Sequence, residues 1–327
     1  VSEPLGLSDV DLWGDLDEAR SRVVDRLFDD DVAGLRLQAP GEVPLGTRQR
    51  LPLVIGYALP LRELATMDLD NTAVAVAVEA RSGRVRAGLA RKPVESSPGP
   101  QSDPGDGESL GMLATDLRER LRLPWEPATW LVTVLLRDRA SNRARVELTP
   151  AGGSYEDPAV AALLATAAAE RAAPAVWPAE ADGAADGALP SYRESSLTPP
   201  LPGAPGIALR ARDRVVVLRD GARAVLGGSL RVTPLAHELR GERPVVDVTL
   251  VITGSGDATP FVARLGVPCD GDASSVTGRF ALDLLALAGL PRSPQTLFVH
   301  AFHGDVMSGP TPVAFVGEEA LARARER

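Results

Sequence analysis

Residues 278–315 read GRFALDLLALAGLPRSPQTLFVHAFHGDVMSGPTPVAF, and the chain carries the same pattern once before, at 111–148, as GMLATDLRERLRLPWEPATWLVTVLLRDRASNRARVEL. The two stretches align without a gap at an offset of 167, and 12 of 38 positions are identical. Among the identities are Asp116/Asp283, Leu117/Leu284, Pro124/Pro291, Pro127/Pro294, Val132/Val299 and Asp138/Asp305. Ordinary residue frequencies would give roughly two or three. The chain is therefore expected to contain two copies of one structural unit.

Working outward, the segments on either side repeat as well. Residues 72–80, TAVAVAVEA, and 245–253, VVDVTLVIT, both alternate with period two, the mark of strands. Each runs into a Ser-Gly turn, at Ser82-Gly83 and Ser255-Gly256, and then into a partner strand. Further upstream, short strands broken at Pro40-Gly41 lead to a longer apolar strand over 49–58. The second copy is matched to this entry through Leu218 with Leu37 and Leu226-Gly227 with Leu45-Gly46. Within the matched block itself, 113–117 and 280–284 fit a strand or a helix. A strand running into a short helical turn ended by Leu-Pro is expected there. Residues 130–137 and 297–303 read as strands buried on at least one face, followed by turns and last strands.

About seven strands per copy, with turns every 8–12 residues, is the rhythm of immunoglobulin-like (Greek-key) β-sandwiches. The expected fold is mainly β, two such domains in tandem. The expected division is an N-terminal arm and helix at 1–34 and a first sandwich at 35–149. An Ala-rich helix and Pro/Ala linker at 150–206 lead to a second sandwich at 207–317 and a charged tail at 318–327.

Composition narrows the function. A hydrophobic content of 44% supports real cores, and an aromatic content of only 4% means that Val, Leu and Ala must fill them. A net charge of −9 argues against sequence-independent nucleic-acid binding. No run approaches the ~18 apolar residues of a membrane span. The single Cys269 excludes an internal disulfide and a multi-cysteine zinc site. The start, VSEPLGLSDVDLW, has no basic-then-apolar signal pattern. A cytoplasmic location is expected, or secretion if a leader has been removed.

Candidate chemistry is sparse. His300 and His303, with Asp305 two residues on, offer metal-ligand types. On a strand, however, positions three apart face opposite sides. Asp68, Asp70 and Asn71 in one loop, and Asp270 and Asp272 in another, offer oxygen ligands for calcium, but neither supplies six. Asp116/Asp283 are expected to cap the helical turn after them, and Asp138/Asp305, followed by Ser141/Ser308, to form the hydrogen-bonded turn between the last two strands. There is no G-x-S-x-G, and Cys269 has no cationic neighbour in sequence. No cofactor is expected beyond that calcium candidate. The reading is a non-catalytic structural or adaptor component contacting protein partners. Isolated apolar anchors would dock it: Leu5, Leu7, Leu12, Trp13, Trp177 and Tyr192. The alternatives are a saccharide-binding or accessory subunit of an enzyme, and a metal-dependent enzyme built on His300, His303 and Asp305.

Overall fold

A computed structural model describes residues 34–45, 51–64, 72–90, 108–150, 176–178, 198–239, 243–255 and 259–319. The expected N-terminal arm, the Ala-rich helix and most of the linker and tail lie outside these residues. So do Leu5, Leu7, Leu12, Trp13, Asp68, Asp70, Asn71 and Tyr192. The described chain is mainly β and divides into two units, Val1–Leu163 and Leu164–Arg327.

In the first unit, β1 (Gly34–Gln38), β3 (Pro52–Pro60) and β6 (Glu108–Asp116) form a three-stranded sheet in the order β1-β3-β6. A second sheet runs β2-β9-β7-β4-β5, from β2 (Glu42–Leu45), β9 (Ala144–Pro150), β7 (Ala128–Leu136), β4 (Val74–Glu79) and β5 (Val85–Leu89). The two-residue strand β8 (Arg139–Ala140) folds back on β7. Leu53 and Ile55 from one sheet and Ala75, Ala77, Trp130 and Val132 from the other share one core. Alternation along β4 sends Ala75 and Ala77 into that core, which also holds Trp130. Val74, Val76 and Val78 lie on the opposite face and are buried too.

In the second unit, β11 (Gly206–Ala211), β13 (Val225–Val232) and β16 (Val276–Asp283) pair in that order. β12 (Val215–Leu218), β19 (Thr311–Gly317), β17 (Gln295–His303) and β14 (Val245–Gly254) form the other side, with β18 (Val306–Met307) on β17. The long strand β15 (Phe261–Gly271) joins them: residues 261–268 pair with β14, and Cys269 to Gly271 pair with β16. One sheet thus curls around one core. The connector contributes β10 (Val176–Pro178), whose backbone lies parallel to β15, Trp177 opposite Leu265.

The sequence match of Leu218 to Leu37 is corrected here. Leu37 sits on β1 and pairs with β3, whereas Leu218 sits on β12 and pairs with β19. By pairing, the counterpart of β1 is β11, and the counterpart of β12 is β2, which runs parallel to β9. Short Val/Leu runs look alike in sequence, and only the partner strand tells them apart.

Two small devices recur. Asp116 is an N-cap whose Oδ1 accepts from Arg118 N and Leu51 N, both at 3.0 Å. Asp283 does the same for Leu285 N at 3.0 Å and Ala224 N at 2.8 Å. Each carboxylate starts a helical turn and ties it to the neighbouring strand. Ser141 Oγ accepts from Val134 N and donates to Asn142 O, and Ser308 Oγ accepts from Ala301 N and donates to Gly309 O.

Candidate metal site

After β13 the chain turns through Pro234 and Leu235. Glu238 N donates to Leu235 O at 2.9 Å, and Leu235 N donates back to Glu238 Oε2 at 2.7 Å. This reciprocal bond across three residues closes the turn. The other carboxylate oxygen, Oε1, accepts from Asp247 N at 2.7 Å, and Glu238 O accepts from Val245 N at 3.1 Å. A single buried glutamate therefore fastens the turn to the first residues of β14. That places His237 over Asp247, with Nε2 3.6 Å from Asp247 Oδ2. One ligand atom each from His237, Glu238 and Asp247 lies within 4.8 Å of the others.

Two further groups flank the cluster. Arg264 on β15 contacts Asp247 Oδ2 through Nη2. His303, at the end of β17, closes the site from beneath. Its Nδ1 is 3.5 Å from Glu238 Oε1 and 3.3 Å from Asp247 O, and its Nε2 is 3.2 Å from Thr233 O. Both ring nitrogens face oxygens, so the ring is held from both sides. Exposure is graded: the side chains of Glu238 and His303 are 0% and 3% exposed, those of His237 and Asp247 36% and 21%.

This geometry corrects the expectation of a non-catalytic protein. Side chains of metal-ligand type do converge, in an arrangement of catalytic kind. They were missed because none of the three stands in a spacing motif. Glu238 and Asp247 come together through the turn and through β14, which no local window reveals. One signal was present. Pro60-Leu61 followed by Glu63-Leu64 parallels Pro234-Leu235 followed by Glu238-Leu239. In the first unit Glu63 accepts a two-pronged bond from Arg139 Nη2 at 3.0 and 2.9 Å.

No protein-family model matches the chain, and no curated protein matches it. Its chemistry is therefore read from its own side chains.

The residues singled out from the sequence are placed as follows. His300 is fully buried opposite Val251, on the sheet face turned away from the core, while His303 lies on the inner side. Asp305 is exposed in the turn before β18. His300, His303 and Asp305 are not brought together as a ligand group, because strand alternation separates the two histidines. Asp270 is paired with Arg243 at 3.0 Å. Asp272 accepts from the hydroxyl and N–H of Ser274 and from Ser275 N, and these bonds hold its carboxyl below its ordinary range. Both aspartates are engaged locally, and the ligand cluster lies elsewhere.

Cys269 is buried with Sγ 3.3 Å from Val267 O, and burial pushes its thiol from 9.0 up to about 12. The folded chain thus keeps a proton that the unfolded chain loses. Stability is unaffected by this thiol below pH 9.0 and falls as pH rises from there towards about 12. Three units correspond to about 4 kcal/mol at the upper end. The difference between the denaturant midpoints of the wild type and Cys269→Ala, followed from pH 7 to 11, should stay constant up to about pH 9 and shift against the wild type above it. A maleimide should label Cys269 only in denaturant.

Proposed function

We propose that the protein is metal-dependent, holding one divalent transition-metal ion at His237, Glu238 and Asp247 for hydrolytic chemistry. The observation that carries this is the approach of three ligand atoms, one nitrogen and two carboxylate oxygens, to within 4.8 Å. An imidazole with two carboxylates suits zinc and its neighbours, whereas calcium prefers six to eight oxygens. Glu238 Oε1 takes Asp247 N and faces His303, whereas Oε2 accepts one backbone N–H and keeps a second lone pair for a metal. An ion held by these three residues would supply an activated water near neutral pH. His303 would hold Glu238 in orientation, as partners of metal ligands do. The saccharide alternative has less support: among the described residues, one cleft of about 430 Å³ around Glu79, Thr129 and Glu147 has no aromatic lining residue.

The test is metal content. After zinc saturation and desalting, about one zinc per chain is expected in the wild type, and less than about a tenth of that in His237→Ala/Asp247→Asn. A wild-type protein that retains neither zinc, cobalt nor manganese would refute the site.

A second reading concerns the scaffold. We read both units as immunoglobulin-like sandwiches in tandem. The orders β1-β3-β6 and β11-β13-β16, and the parallel pairings β2 with β9 and β12 with β19, support it. The expected contacts with protein partners have one supporting observation, the capture of an extended segment, β10, along the edge of β15. Experimental coordinates with different strand orders in the two units would sink the tandem reading.

A further inference from the structure

Arg264 touches the metal cluster without belonging to it. In the β14–β15 ladder Asp247 lies opposite Gly266, and Thr249 opposite Arg264. Asp247 and Arg264 are thus diagonal neighbours on one face of the sheet. The alternating residues Val246, Val248, Leu265 and Val267 point to the core, so this is the other face. Glycine at 266, directly across from Asp247, contributes no side chain there. Asp247 and Arg264 meet beside that gap.

The open side of the cluster is formed by His237, Asp247 and Arg264, at 36%, 21% and 24% exposure. Glu238 and His303 close the other side. With a divalent ion in place, two carboxylates and a neutral imidazole leave the metal group with no net charge. Arg264 then adds one positive charge on the side from which a substrate arrives. The site favours an anion. A guanidinium fork offers two parallel N–H donors to oxyanions. A carboxylate can fill the fork and reach the metal only by sharing one oxygen between them. A phosphate group has enough oxygens to do both.

Resting on the metal reading above, we propose that the site takes a phosphate group, one oxygen on the metal and two on Arg264. In the metal-free protein Arg264 neutralises Asp247. Once the ion shares Asp247, donors of the guanidinium turn towards the anion. Arg264 therefore determines the substrate class, phosphate esters, while His237, Glu238 and Asp247 hold the ion.

The experiment is calorimetric titration of inorganic phosphate into the full chain, with and without zinc, beside the variants Arg264→Gln and Arg264→Lys and an acetate control. Phosphate should bind only the zinc-loaded protein and more tightly than acetate. Arg264→Gln should keep its zinc and weaken phosphate by about tenfold or more, with Arg264→Lys between the two. A zinc-loaded wild type that binds no phosphate, binds acetate equally well, or loses nothing in Arg264→Gln overturns the proposal and leaves the metal reading standing. Loss of zinc together with phosphate in both variants makes Arg264 a support for the ligands and also overturns it. A wild type that takes up no zinc ends both readings.

Discussion

Glu238→Ala is expected to destabilise the second unit by about 2–5 kcal/mol, because it removes an enclosed acceptor from two backbone N–H groups. The carboxylate is fully enclosed and serves three partners: Leu235 N, Asp247 N and His303. Alanine leaves the N–H groups of Leu235 and Asp247 without their acceptor and His303 without its carboxylate. Each unsatisfied donor alone costs about 1–3 kcal/mol. Glu238→Gln should fall between wild type and alanine, since an amide has one oxygen for two donors. The first unit supplies an internal control. Glu63 and Arg139 form the related pair, but their side chains are 30% and 31% exposed. Solvent screening limits Glu63→Ala to about 1 kcal/mol or less. Chemical denaturation of both variants, followed by hydrogen exchange in each unit, tests the difference. Equal losses at positions 63 and 238 would show that burial of Glu238 does not set its contribution.

Gly228→Ala is expected to cost about 2–4 kcal/mol, at or above the usual range for overpacking. Gly228 on β13 lies opposite Phe280 on β16, and a Cβ at 228 would stand 2.1 Å from the ring's Cζ. Phe280 is fully buried, so the ring has nowhere to swing. The absence of a side chain at 228 is what lets the aromatic ring lie over the backbone. The double variant Gly228→Ala/Phe280→Leu should recover part of the loss, because the two substitutions share one space. Thermal or urea midpoints of the single and double variants measure this. Strict additivity would show that the ring and the glycine do not compete.

Much of the strand content was legible because its causes are local. Period-two alternation at 74–78 and 245–252 needs one buried face, and both segments are strands. The ambiguous stretch 113–117 ends as strand up to Asp116, which then caps a helix, Leu117–Leu121. Asp283 does the same for a shorter turn. A side chain that bonds an N–H two residues on needs no distant partner, so sequence suffices to place it. The first strands of the second copy were harder, since β12 and β1 differ only in what lies beside them.

The ligand cluster belongs to the other kind of information. His300 and His303 stood out because they are close in sequence, yet the pleat sends them to opposite faces. His237, Glu238, Asp247 and His303 gain meaning only when the turn after β13, the start of β14 and the end of β17 meet. Glu238 and Asp247 are nine residues apart, and Asp247 and His303 fifty-six. Composition, alternation, capping residues and the recurrence of a block are properties of short windows, and from them the sequence alone determined a β-rich chain with repeated local devices. Which carboxylate is buried, which histidine packs against it and which arginine is partly exposed beside the cluster follow from long-range strand pairing, and only the tertiary structure decided them.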